Sequence, residues 1–100
     1  MLQRIIYVRP KADKLIEASE WAQEVIAFAK KKQPSRIAEV YRERFGDVGT
    51  LHFIGQFESL SDLEQSVTDL QSDEEWIALY TKGLDLFIDG SNKVILMESI

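Results

Sequence analysis

The sequence predicts an α+β protein of the ferredoxin-like type, with a four-stranded antiparallel sheet in βαββαβ order and both helical layers on one face. Three observations carry this. Four stretches rich in β-branched and aromatic residues, Leu2–Arg9, Arg36–Phe45, Thr50–Glu58 and Lys93–Ser99, alternate apolar and polar side chains or are apolar on both sides. Between the first and second, and again between the third and fourth, apolar residues recur at three and four. A tight turn, GDVG after Phe45, joins the second stretch to the third as a hairpin. In this fold the strands lie in the spatial order fourth, first, third, second.

Each element has a local cause. Leu2–Arg9 has Leu2, Ile6 and Val8 on one face and Ile5 and Tyr7 on the other, as a central strand does. Pro10 supplies no ladder donor and ends it. From Ala12 to Lys32, the residues Leu15, Ala18, Ala22, Val25 and Ala29 form a helical stripe widened by Trp21, Ile26 and Phe28. Lys30, Lys31 and Lys32 fall in its last turn and oppose the negative end of the helix dipole. Arg36–Phe45 alternates with many charges, which suits an edge strand. With Gly46–Gly49 as a four-residue loop, Glu43 pairs with His52, Tyr41 with Ile54, Glu39 with Gln56 and Arg42 with Phe53. Ser61 with Glu64, and Ser72 with Glu75, have capping-box spacing, so the second helical layer is split in two. Its later helix presents Trp76, Ile77, Tyr80, Leu84 and Phe87 on one face and carries Gly83 at a cost in helix propensity. A turn at Asp89–Asn92 leads into the last strand.

Residues 1–100 make a single domain, and a chain of this length can close one core. The net charge of -5 argues against a general affinity for nucleic acid, which is bound chiefly through cations. There is no cysteine, so disulfides, thiolate catalysis and cysteine-ligated metals are excluded. No apolar run is long enough to span a membrane, and the strand-like LQRIIYV lacks the design of a signal peptide. The expectation is a cytoplasmic protein with neither nucleic acid nor membrane as a partner.

The helix-side set is Leu2, Ile6, Val8, Val40, Leu51, Phe53, Phe57, Val94 and Leu96. The opposite face holds Ile5, Tyr7, Ile37, Tyr41, His52, Ile54, Ile95 and Met97. A sheet face turned to water is polar, so this face predicts a homodimer packed sheet to sheet about a two-fold axis.

Chemistry has few candidates. His52 is the one histidine; it lies on that second face near Glu43, Tyr41 and Tyr7, where it serves either as a general base or as a hydrogen-bonded interface residue. The interface reading is preferred, since no motif surrounds it. Trp21, Phe28, Phe53, Trp76 and Tyr80 are the candidates for lining a pocket that takes a small apolar or aromatic ligand, against the alternative that they only fill the core. Arg4 and Arg42 point towards the helices, either reaching solvent or forming an anion site, and solvation is the preferred reading. The acidic residues sit mostly at helix starts without ligand spacing, and no phosphate loop, nucleophile elbow or HExxH occurs, so neither a metal nor another cofactor is expected.

The stretch GTLHFIGQFESLSDLEQSVTDLQSDEEW, a glycine-led strand ending in an aromatic, then a serine-started helix and acidic residues just before a tryptophan, resembles the C-terminal half of NIPSNAP-type domains. The marks are Gly49, Phe57, Ser61, Asp73 to Glu75 and Trp76. The resemblance implies membership of the dimeric α+β barrel superfamily, a homodimer whose sheets form a barrel, and no agreed catalytic set. Relatives in that superfamily include antibiotic-biosynthesis-type monooxygenases and haem-degrading oxygenases, which bind flat substrates between sheet and helices. The haem-degrading members use a helix histidine with an asparagine and a tryptophan; here His52 is on a strand and Asn92 in a turn, which argues against that chemistry.

Two function classes follow. One is a non-catalytic dimer that binds a small ligand. The other is a cofactor-independent monooxygenase or isomerase acting on a small aromatic or polyketide-like compound. A dry pocket without polar groups favours the first, and a cavity above roughly 300 Å³ with convergent polar groups favours the second.

Overall fold

β1 (Leu2–Val8) and β3 (Leu51–Phe57), the two strands with apolar residues on both faces, lie side by side at the centre of a four-stranded sheet in the computed structural model, which describes residues 1–100. β2 (Ile37–Arg42) and β4 (Lys93–Glu98) form the edges, in the order β2-β3-β1-β4, and every neighbouring pair is antiparallel. α1 (Leu15–Lys32), α2 (Leu60–Gln71) and α3 (Glu74–Gly83) cover one face. This is the ferredoxin-like arrangement with a split second helical layer. No helix is long and apolar enough to cross a membrane.

The hairpin register differs from the sequence expectation by two residues. Tyr41 pairs with His52, Glu39 with Ile54, Ile37 with Gln56 and Arg42 with Leu51. The cause is a longer loop: Arg44 and Phe45 leave the ladder, the Glu43 and Thr50 backbones close it (2.9 Å), and the Thr50 N–H reaches back to the Asp47 carbonyl (3.0 Å). Gly49 is the third residue of that last turn at φ 94°, a conformation a side chain would resist. A shift of two preserves the face of every side chain, whereas a shift of one would reverse it.

Both caps of the second layer also fall elsewhere. α2 starts from Ser59, whose hydroxyl accepts the Asp62 N–H at 3.2 Å, two residues before the expected Ser61. The chain leaves the sheet at Phe57 and turns at once, so the nearer serine takes the cap. α3 starts from Asp73, whose Oδ1 accepts the N–H groups of Glu75 (2.9 Å) and Trp76 (3.2 Å). Ser72 instead donates back to the Thr68 carbonyl at the end of α2 (2.8 Å), since it closes one helix and cannot open the next.

α3 was expected to reach Phe87, but ends at Gly83 and tightens into a 3-10 turn over Leu84–Leu86. Phe87 is extended and bridges Pro10, and the Lys11 N–H binds the Leu86 carbonyl at 2.9 Å. The reason for Gly83 is Trp21. A Cβ at Gly83 would stand 2.6 Å from Trp21 Nε1 and closer still to the ring carbons. The indole therefore lies on the bare backbone of α3 and donates to the Leu79 carbonyl at 2.8 Å. Its ring also meets Phe53 and Phe87 edge-on, with centroids 6.0 and 5.3 Å away.

The tightest packing is around Ala18, Ala22 and Leu51, where the small residues of α1 let it approach the sheet. Coverage fails towards β4. Val94 and Leu96 face the helix side, opposite Ile6 and Arg4, yet remain 57% and 47% exposed because no helix extends over that edge.

Gly83→Ala is expected to lower stability by about 1–3 kcal/mol in urea denaturation, the cost of overpacking, although helix propensity alone favours Ala by about 1 kcal/mol. A more stable variant would show that Trp21 does not rest on this backbone. Asp73 yields a pH test. Desolvation pulls its carboxyl up, but the N–H of Trp76, the Lys32 ammonium at 3.3 Å and the N–H of Glu75 together hold it below its ordinary value of 3.8. A lowered native value gives stabilisation that is present above the unfolded value and is lost as pH falls through the native one. Asp73→Ala should therefore lower Tm by about 5 °C at pH 7. The difference from wild type should shrink as pH falls below about 4 in thermal melts, and a constant difference down to pH 2 would contradict the assignment.

Candidate functional site

A partly open cavity of about 500 Å³ lies between the helices and the sheet, over β2, β3 and β1 and reaching Val94 of β4. Part of its floor comes from one cross-strand row, of which Ala38, Gly55 and Arg4 line the space. Ala38 on β2, Gly55 on β3, Arg4 on β1 and Leu96 on β4 lie opposite one another on the helix side. Two of these four have almost no side chain, so the sheet is low there, while Phe53 and Ile6 in the next row reach up. Gly55 could not become larger freely, because a Cβ would stand 3.1 Å from the Phe57 ring, which leans back over it.

The walls come from the helices. Trp21, Val25 and Ile26 of α1, Leu70 of α2, and Trp76 and Tyr80 of α3 line the space. Of the five pocket candidates, Trp21, Phe53, Trp76 and Tyr80 do line it. Phe28 does not: it packs against Trp76 with centroids 5.8 Å apart and under the Lys32 ammonium, while Val25 and Ala29 of the same helix line the cavity.

The polar groups of the cavity are few. Gln33 and Ser66 satisfy each other, the serine hydroxyl donating to Gln33 Oε1 at 2.6 Å and Gln33 Nε2 donating to the Ser66 carbonyl at 3.3 Å. Arg36 pairs with Asp62 at 3.3 Å and lies over the Phe57 ring, 5.4 Å from its centroid. Arg4 lies over the same ring at 5.5 Å, is half-buried, and burial lowers its pKa. The two arginines expected to face the helices thus part company: Arg42 is exposed and donates to Ser19 Oγ at 3.3 Å, while Arg4 stays in the cavity. Sequence reasoning passed over Gly55, although an isolated glycine in a strand signals a gap or a close approach.

The catalytic candidates occupy the other face of the sheet. His52 Nε2 is 3.1 Å from Glu43 Oε2, a diagonal contact, since Tyr41 now stands directly opposite His52. Tyr7 meets the imidazole edge-on at 4.2 Å. Tyr41 turns away: its hydroxyl donates to Glu39, and this hydrogen bond to a carboxylate raises the phenol pKa. A second, polar concavity surrounds His52, with Glu43, Thr50, Ser91 and Lys93 among its walls. The Thr50 hydroxyl is buried there without a partner. The expected interface residues Ile5, Tyr7, Ile37, Tyr41, His52, Ile54, Ile95 and Met97 all share this face by register.

The NIPSNAP family model matches residues 4–99. No curated protein matches. Among solved structures, an uncharacterized NIPSNAP domain protein from Burkholderia xenovorans superposes with a TM-score of 0.84 at 14% identity, covering 100% of this chain and 95% of that one. A NIPSNAP family protein from Agrobacterium tumefaciens gives 0.84 at 17% identity, covering 99% and 92%. An antibiotic biosynthesis monooxygenase gives 0.74 at 16% identity, covering 100% and 99%. At these identities the structural likeness carries the fold and not the chemistry.

Proposed function

The chain belongs to the NIPSNAP family, and from that premise we propose that it is a cytoplasmic homodimer that binds a small, largely apolar ligand between helices and sheet without transforming it. The cavity carries this reading. Its size, above roughly 300 Å³, and its few convergent polar groups would by themselves suit an enzyme, but its walls are mainly apolar and aromatic and the polar groups on it supply no free base. Arg4 and Arg36 are cations with no lone pair to take a proton, Gln33 and Ser66 are committed to each other, and the remaining proton-bearing groups of the lining, Tyr80 and Asp89, are exposed. The imidazole of His52 stands on the opposite face of the sheet.

The second reading, a cofactor-independent monooxygenase or isomerase, is favoured by the size of the cavity and by the likeness to an antibiotic biosynthesis monooxygenase. It needs a proton acceptor at the substrate. The nearest carboxylate in the lining, Asp89, is exposed at the rim.

The dimer rests on exposed area. A folded monomer of this mass exposes roughly 5,800 Å², whereas this chain exposes 6880 Å², an excess of roughly 1,100 Å². A standard interface takes about 800 Å² from each partner. The face opposite the helices supplies apolar surface of this kind: Ile37, Tyr41 and Met97 are 49%, 55% and 45% exposed. Pairing through it would also shield the half-buried His52 from water.

Sedimentation equilibrium at micromolar concentration should give twice the 11.5 kDa of one chain. Ile54→Arg should reduce it to a monomer, and a wild-type monomer would end the dimer reading. Titration with 2-naphthol should quench the emission of Trp21 and Trp76. Ala38→Leu, which raises the cavity floor, should weaken that binding about tenfold or more with the circular dichroism spectrum unchanged. Quenching that Ala38→Leu leaves intact would place the ligand elsewhere.

A further inference from the structure

We propose that Arg4 anchors the carboxylate of an apolar acid, with a flat ring or short acyl body, bound in the helix-sheet cavity; this rests on the ligand-binding reading above and names its ligand class. Arg4 has a place but no partner. It projects from the middle of β1 into the cavity between Gly55 and Leu96, neither of which offers a polar side chain. It makes no ion pair and no side-chain hydrogen bond, and Glu98, on the same face of the neighbouring strand, lies beyond ion-pair distance.

The other arginines show what is missing. Arg36, also half-buried and lying over Phe57, is neutralised by Asp62 at 3.3 Å. Arg9 pairs with Asp47 at 2.9 Å, Arg42 binds Ser19, and Arg9, Arg42 and Arg44 are exposed to water. Arg4 alone combines partial burial with an unmet charge. Its guanidinium lies over the Phe57 ring, which holds the cation without supplying an acceptor. A buried guanidinium has five N–H donors in a planar fork, and a carboxylate is the acceptor that matches two of them at once. One free cation fits a monoanion. A phosphate dianion would call for a second unpaired cation, and Arg36 is already occupied. The walls beyond Arg4, Val25, Ile26, Leu70 and Trp76, are apolar and set the character of the rest of the ligand.

The test compares two probes with the same ring, 2-naphthoate and the neutral 2-naphthalenemethanol, by isothermal titration calorimetry on the full chain. Wild type should bind the acid roughly ten- to a hundredfold more tightly than the alcohol. Arg4→Met should bring the two to equal affinity by weakening the acid alone, and Arg4→Lys should keep part of the preference. Equal binding of both probes by wild type would overturn the role of Arg4 while leaving the cavity reading intact. Binding of neither at millimolar concentration would overturn both. A preference that survives Arg4→Met would assign the acid to another cation. The wild-type ratio decides by itself, so a variant that fails to fold leaves the test standing.

Discussion

The contact of the Trp21 indole with the bare backbone at Gly83 fixes how the helical layer sits on the sheet. Because nothing projects from α3 at that position, the indole can lie against it, bond the Leu79 carbonyl and still meet Phe53 and Phe87 in T-shaped contacts. One side chain thus ties α1 to α3 and both to the third strand. The glycine costs about 1 kcal/mol in helix propensity, and the packing it allows outweighs that. α3 ends at this glycine, and beyond a 3-10 turn Phe87 is extended and meets Pro10.

The sheet beneath is asked to do different things on its two faces. On the helix side, the row through Ala38, Gly55 and Arg4 is low and carries a charge, so burial of apolar area gives way there to an internal space. On the other side, apolar residues surround a small polar group of His52, Glu43 and Tyr7.

The site was legible in part, and the division follows the range of the interactions. Trp21, Phe53, Trp76 and Tyr80 could be nominated because aromatic residues on helical stripes or strand faces have a direction that local periodicity fixes. Phe28 carried the same signal but turns to Trp76 and Lys32, while Val25 and Ala29 of the same helix line the cavity. Glu43 and His52 do meet, though as diagonal neighbours after a two-residue change of register, because two-residue shifts leave every face unchanged and the loop alone decides between them. The caps moved for a similar reason: Ser59 and Asp73 were as eligible as Ser61 and Ser72, and the path of the chain out of the sheet selected among them.

What the sequence by itself determined is periodicity and its consequences: four strands, which of them are central, which side chains share a face, and the resemblance carried from Gly49 to Trp76. Alternation by two and recurrence at three and four are properties of the local backbone and need no partner to be read. What only the tertiary structure decided is where surfaces fail to meet. A cavity is the difference between two packed layers, and the low row at Gly55, the early end of α3 and the absent partner of Arg4 each depend on residues distant in the chain. Gly83 and Gly55 therefore read as weak points in their own segments and find their reasons, Trp21 and the cavity floor, only across the fold.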